Sequence, residues 1–222
     1  MSITFNKKQQ QVINELNQNI LLSAGAGTGK TNVLSYRVAN ILNKNRANAD
    51  EILCLTFTNK ACRELKNRIT SQLDFETANK ITIRTIHGFA YQVITTTAKK
   101  AQTIFKEFVI FDDEDQKTLI RQTIANFPKA RALDIQYIVN CIEQLKQERA
   151  LKHIYTEDIE ADYTTIYHQH LKFNKTFNQQ QNDNLTKFFQ FDGLNIIINY
   201  ELALQQMHGL DYKDLIANAY RL

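Results

Sequence analysis

Eight residues near the N-terminus, Ala24-Gly25-Ala26-Gly27-Thr28-Gly29-Lys30-Thr31, leave this chain few options, because they gather three of its six glycines into five positions. The run before them, Asn19-Ile20-Leu21-Leu22-Ser23, is apolar and of strand length. Beyond them Val33, Leu34, Val38, Ile41 and Leu42 recur at helical spacing. A turn from strand to helix that is made of small residues lets the main chain approach phosphate oxygens and aim successive N–H groups at them. The helix then adds its positive N-terminal end. On this reading Ala24 to Gly29 cradle a nucleoside triphosphate, Lys30 reaches its β and γ phosphates, and the Thr31 hydroxyl ligates magnesium. The first position is alanine rather than the glycine of the general pattern. A glycine-rich hairpin is the structural alternative.

Charge divides the chain. Residues 1–100 hold 14 basic and 6 acidic side chains, whereas residues 101–222 hold 13 basic and 17 acidic, so a net +8 is followed by a net −4. Two parts with different partners are expected. No apolar run approaches the ~18 residues of a membrane span, and Met-Ser-Ile-Thr-Phe-Asn-Lys-Lys lacks the order of a signal peptide, so a cytoplasmic protein without membrane contact is expected. Cys54, Cys62 and Cys141 are too scattered for a disulfide framework and read as small buried side chains. His168 and His170, two apart, point to different sides of a helix and not to a zinc site.

Three further segments carry a family resemblance. Phe5-Asn6-Lys7-Lys8-Gln9-Gln10-Gln11 is similar to the leading glutamine motif of the UvrD/Rep/PcrA family of superfamily 1 DNA helicases. Ile52-Leu-Cys-Leu-Thr56-Phe57-Thr58-Asn59-Lys60-Ala61, continuing to Ile69, resembles its motif Ia: a buried strand, a polar turn, and a helix with Ala61, Leu65 and Ile69 on one face. Ile81-Thr-Ile-Arg84-Thr85-Ile86-His87-Gly88 resembles its motif Ib. By that resemblance Gln9 reads the adenine edge, as an amide side chain can do with paired hydrogen bonds. Arg37 matches the family arginine that lies against the adenine ring, with a solvated helix arginine as the alternative. Thr56, Phe57, Thr58, Asn59, Thr85, His87 and Gly88 would contact single-stranded DNA or a single-strand/duplex junction, Phe57 by stacking on a base. The bland readings are a solvent-facing place for Gln9 on a helix capped by Asn6, and core packing for Phe57 and His87. The +8 portion is where a phosphate-rich strand would run.

The implied fold is α/β: a RecA-like P-loop NTPase domain, a parallel sheet flanked by helices, over residues 1–100, an all-helical insertion called 1B over 101–209, and the start of a return to the first domain at 210–222. Helices are expected after Asp112 and Asp134, in the latter case with Ile135, Ile138, Ile142 and Leu145 on one face, and Pro128 should close the first. The Asn/Gln-rich patch 173–184 reads as a loop or a soluble helical extension, and Leu210 to Ile216 as a final helix. Phe108 to Glu114 and Asn195 to Glu201 imitate the acidic Walker B strand and are set aside, the first as a helix start. The family's magnesium-binding aspartate, water-orienting carboxylate and arginine finger, with its C-terminal motor domains, have no counterpart, so these residues alone should bind ATP with magnesium weakly and single-stranded DNA weakly, and turn over little or nothing. Rival readings are a P-loop kinase for a small molecule or nucleotide, and a non-catalytic, truncated DNA-binding module.

Overall fold

A computed structural model describes residues 4–101, 107–156, 158–172 and 178–222, with backbone only for 98–101. Residues 173–177, the start of the Asn/Gln-rich patch, lie outside them. The architecture is mixed α/β and mostly helical, with short parallel strands, and it divides into two compact units, residues 1–89 and 90–222.

In the first unit α1 (Lys7–Asn14) leads to α2 (Lys30–Asn43), then β1 (Leu53–Thr56), α3 (Asn59–Thr70), α4 (Phe75–Lys80), β2 (Thr82–Thr85) and the start of α5 (Ile86–Ala101). Strand β1 pairs with β2 in parallel, in a register that sets Leu53 beside Thr82 and Thr56 beside Thr85. The apolar face of α3, Leu65 and Ile69, closes over Val38, Cys54, Ala78 and Ile81. Ala61, expected on that face, is half-buried one turn nearer the helix start.

The expected strand at Asn19 to Ser23 is not formed, and Leu21 is 98% exposed. An apolar run becomes a strand only when a neighbouring chain takes up its N–H and C=O groups. Among the described residues no strand runs beside it: the parallel sheets are two separate pairs, β1 with β2 and, in the other unit, Val109–Phe111 with Gly209–Asp211.

The second unit continues α5 and holds β3 (Val109–Phe111), α6 (Asp113–Ile124), α7 (Ile135–Leu151), α8 (Ile159–Lys172), α9 (Gln179–Gln190), α10 (Gly193–Gln206), β4 (Gly209–Asp211) and α11 (Tyr212–Arg221). Its core is helix on helix, with Ile120, Ile138, Ile142, Leu145, Ile166, Leu185, Phe188, Ile196 and Tyr200 sealed from solvent. Asp112 caps α6 by accepting from the Glu114 and Asp115 N–H groups at 2.9 and 3.0 Å, so the acids after Phe111 begin a helix, as expected from the sequence. The apolar residues before them are a strand as well, because Val109 to Phe111 pair with Gly209 to Asp211. That pairing corrects the expected final helix: Leu210 and Asp211 belong to β4, Asp211 is the cap, and α11 starts at Tyr212. Asn195 to Glu201 lie inside α10, not in a strand.

Candidate nucleotide and nucleic-acid site

Every site residue expected from the sequence falls in the first unit. Asn6 begins α1 with a reciprocal cap: its Oδ1 accepts from Gln9 N at 2.9 Å, and its own N–H donates to Gln9 Oε1 at 2.9 Å. This fixes the Gln9 amide, and the Nε2 at its other end donates to the Thr28 carbonyl at 3.1 Å. Two segments 19 residues apart in sequence are thereby joined. The capping context and the loop contact are both present in one side chain.

The loop itself turns on Gly27 and Gly29, with φ of 74° and 84°, a region that a side-chain-bearing residue enters only at a cost of ~1–2 kcal/mol. Thr28 Oγ1 donates to Gly25 O at 2.8 Å, and Lys30 Nζ folds back to Ala24 O at 2.8 Å and Gly25 O. Gly29 is also the residue that precedes α2, and it offers no side chain to cap the first-turn amides. Those amides and the positive end of a 14-residue helix face an exposed loop, an arrangement suited to an anion. Lys30 and Thr31 are exposed at its mouth.

Arg37 is directed elsewhere than the resemblance implies. Its guanidinium donates to the Val12 and Glu15 carbonyls at the C-terminal end of α1. Asn40 Nδ2 adds a bond to Ile13 O at 2.9 Å, and Phe5 meets the Tyr36 ring edge-on at 4.7 Å between centroids. Together these fasten α1 to α2 and so hold Gln9 against the loop.

The parallel register decides the other half of the site. Because Thr56 and Thr85 are partners at the C-terminal ends of β1 and β2, the turns that follow them leave the same edge of the sheet. Each turn starts a helix. Thr58 Oγ1 accepts from Ala61 N at 3.1 Å to cap α3, and Thr85 Oγ1 accepts from Gly88 N at 3.0 Å in the first turn of α5. Thr56 Oγ1 reaches Thr58 O at 3.1 Å, and Thr56 Oγ1 and Cys62 Sγ lie 2.9 Å apart, which stiffens the turn between them. Phe57 projects from it with 88% of its surface exposed, so the core-packing alternative does not hold. Asn59 is exposed beside it, and His87 is half-buried. The edge offers two helix N-termini and one bare aromatic ring, and a base can stack on such a ring irrespective of sequence.

Sequence reasoning missed the residues that tie the loop helix to α3. Arg68 Nη1 donates to Asn32 Oδ1, and Gln72 Nε2 donates at 2.9 Å to Ser35 Oγ, on a serine with no exposed surface. Their spacing is helical on both sides, positions 68 and 72 against 32 and 35. Polar residues at that period, flanking an apolar face, were the available signal.

Among the described residues no group of three or more His, Cys, Asp or Glu side chains is placed to hold a metal. His170 is buried against Thr186 Oγ1 at 3.2 Å and packs edge-on to Phe189. Cys54 and Cys141 are buried and Cys62 half-buried, all free thiols. No helix among the described residues is long and apolar enough to cross a membrane.

The chain is 27% identical to the ATP-dependent DNA helicase PcrA of Leuconostoc citreum, over 94% of its own length and 29% of the relative's. It is equally similar to the PcrA of Staphylococcus aureus strain Mu50, over 98% of its length and 30% of the relative's. With a probable DNA helicase II homolog of Rickettsia conorii it shares 35% identity over 54% of its length and 18% of the relative's. The chain thus spans less than a third of the length of these relatives. The family described as UvrD/REP helicase N-terminal domain matches residues 5–222, nearly the whole sequence, and to that family this chain belongs.

Proposed function

We propose that this chain is the ATP-binding N-terminal part of an ATP-dependent DNA helicase, a 3′ to 5′ translocase on single-stranded DNA that serves repair or recombination. The observation that carries the reading is the bond from Gln9 to the Thr28 carbonyl, which sets the amide chosen for adenine on the loop chosen for phosphate. The loop residues Ala24 to Thr31 fit a triphosphate, since they offer uncapped helical amides and an exposed lysine. Thr31 would hold the magnesium that accompanies ATP and shields the phosphate charge. Thr56 to Asn59 and Thr85 to Gly88 would line the path of the strand.

In this reading the first unit is part of a RecA-like domain, the helical body of the second is the 1B insertion, and β4 with α11 begins the return. The protein works in the cytoplasm. Hydrolysis also needs a metal-binding aspartate, a carboxylate to orient water, and an arginine finger worth ~10³–10⁵ in rate. Those groups belong to further motor segments, so residues 1–222 bind both ligands and hydrolyse little.

Fluorescent single-stranded DNA tests the assignment, titrated into wild type and Phe57→Ala with and without an ATP analogue. Loss of the stacking ring should weaken DNA binding by ~1–3 kcal/mol and leave nucleotide binding alone. Unchanged DNA affinity in a folded variant removes Phe57 from the interface. Phosphorylation of a small acceptor without DNA would favour a kinase instead.

A further inference from the structure

The second unit holds a cluster of buried charge that neither the loop nor the strand ends use. Lys146 Nζ on α7 lies 2.6 Å from Asp211 Oδ2, 2.7 Å from Glu201 Oε1 and 2.8 Å from Asp214 Oδ2, with its side chain only 4% exposed. The three carboxylates come from β4, α10 and α11. One turn along α7, Arg149 binds Glu201 Oε2 at 3.1 Å and Asp162 Oδ2 of α8 at 2.6 Å. Two cations therefore serve four carboxylates in a site with little solvent, and the surplus negative charge disfavours the last ionisation.

The hydrogen bonds single out which group bears it. Asp162 accepts from Arg149, Thr156 N and Thr156 Oγ1, and Glu201 bridges both cations. Asp211 accepts from Lys146, the Tyr200 hydroxyl, Gln116, and the N–H groups of Lys213 and Asp214. Asp214 has a share of the same ammonium and one N–H, from Asp211 at 3.2 Å. Counting protein partners, its anion is the least supported of the four, although 16% of its side chain is exposed.

We propose that Asp214 is a proton-operated latch: with its carboxyl neutral, β4 and α11 are locked onto α7 and α10, and its ionisation loosens them. Burial above all, against the pull of Lys146 and with the Asp211 and Glu201 charges adding to it, pushes Asp214 up to about 8. Other groups near α11 do not take over its role. Lys213 is 3.4 Å from Glu143 of α7 at the surface, and Arg221 lies over the Tyr155 ring at 3.9 Å. The hydroxyls of Tyr155, Tyr163 and Tyr200 are raised by burial and stay neutral. The face of α5 toward Leu215 is apolar, with Ala90 and Ile94. Lys146, Glu201 and Asp214 line a cavity of about 800 Å³ together with Glu107 and His208, which gives protons a way in.

The sign follows from linkage. A carboxyl raised from its usual value to about 8 keeps its proton in the closed state and loses it on opening, so stability is greatest at low pH and falls as pH rises toward 8. Asp211 is shifted the other way and loses its contribution only in acid, while Lys146, raised by its three carboxylates against the pull of burial, loses its own only in alkali.

Hydrogen exchange of the α11 amides, corrected for intrinsic rates and read against α7, tests the latch between pH 5 and 9. In wild type the opening constant should climb by up to about tenfold per pH unit and level off above pH 8. Asp214→Asn, permanently neutral, should show no such climb. A flat wild-type profile, or the same climb in the variant, overturns the proposal. Should Asp214→Asn fail to fold, Glu201→Gln decides: with one negative charge fewer, the levelling point must move to lower pH, and an unmoved point overturns the proposal equally.

Discussion

Replacing Lys146 by methionine keeps the reach of the side chain and deletes the ammonium that three carboxylates share at 2.6 to 2.8 Å. The partners are not equally harmed. Glu201 keeps Arg149 at 3.1 Å, and Asp211 keeps the Tyr200 hydroxyl at 2.9 Å and two backbone N–H groups, but Asp214 is left with one N–H. Removing one partner of a buried ion pair costs about 3–5 kcal/mol, because the other charge stays behind without compensation. Set against the ~5–15 kcal/mol that holds a domain folded, this is enough to unfold a marginal chain. The loss should also depend on pH. Asp214 already holds its proton below pH 8, so the extra uptake falls on Asp211 and Glu201: deprived of their cation they bind protons more readily than in wild type, and the deficit shrinks as pH falls from 8 to 5. Urea unfolding followed by far-ultraviolet circular dichroism at both pH values measures this directly. A deficit under about 1 kcal/mol at pH 8, or one that is the same at pH 5, refutes the reasoning, since lost packing alone carries no pH dependence.

Two more outcomes follow from other parts of the molecule. Gln9→Leu removes both the loop bond and the amide proposed for adenine, and should cut the preference for ATP over GTP by ~1–3 kcal/mol; equal discrimination in competition titrations counts against an adenine-reading role. Gly193→Ala would bring a methyl group to 2.5 Å from the Phe188 ring and 2.6 Å from the Phe188 carbonyl oxygen at the start of α10, a crowding that should destabilise the second unit by about 1–3 kcal/mol in thermal unfolding and leave nucleotide binding unaffected.

What could be read from the chain in advance was written in short stretches. Caps are an example: Asn6, Thr58, Asp112 and Asp134 each accept from a backbone N–H two or three residues ahead, so the helix starts were legible from the side-chain oxygen and the apolar period that follows it. The loop from Ala24 to Thr31 was legible for the same reason, since its glycine pair and the lysine that closes it lie within a few positions. The nearness of the two strand-end turns was a step harder, because it rests on the register that sets Thr56 beside Thr85.

Other features have no local signature. A strand exists by virtue of its neighbour, which is why Val109 to Phe111 became one through residues 100 positions away while the apolar centre of Asn19 to Ser23 did not. Arg37 answers to the chain end of α1, 22 to 25 residues back, and not to its own helix. The partners of Lys146 are 55, 65 and 68 residues downstream, and each would pass for an ordinary surface acid. Sequence alone determined the glycine-rich turn, the helix starts at Lys7, Asn59, Asp113 and Ile135, and the family, because hydrogen bonds and hydrophobic periods of a few residues encode them. Tertiary structure decided which strands exist, which edge gathers the candidate DNA contacts, and where four carboxylates must share two cations, because burial and charge act between groups that only folding brings together.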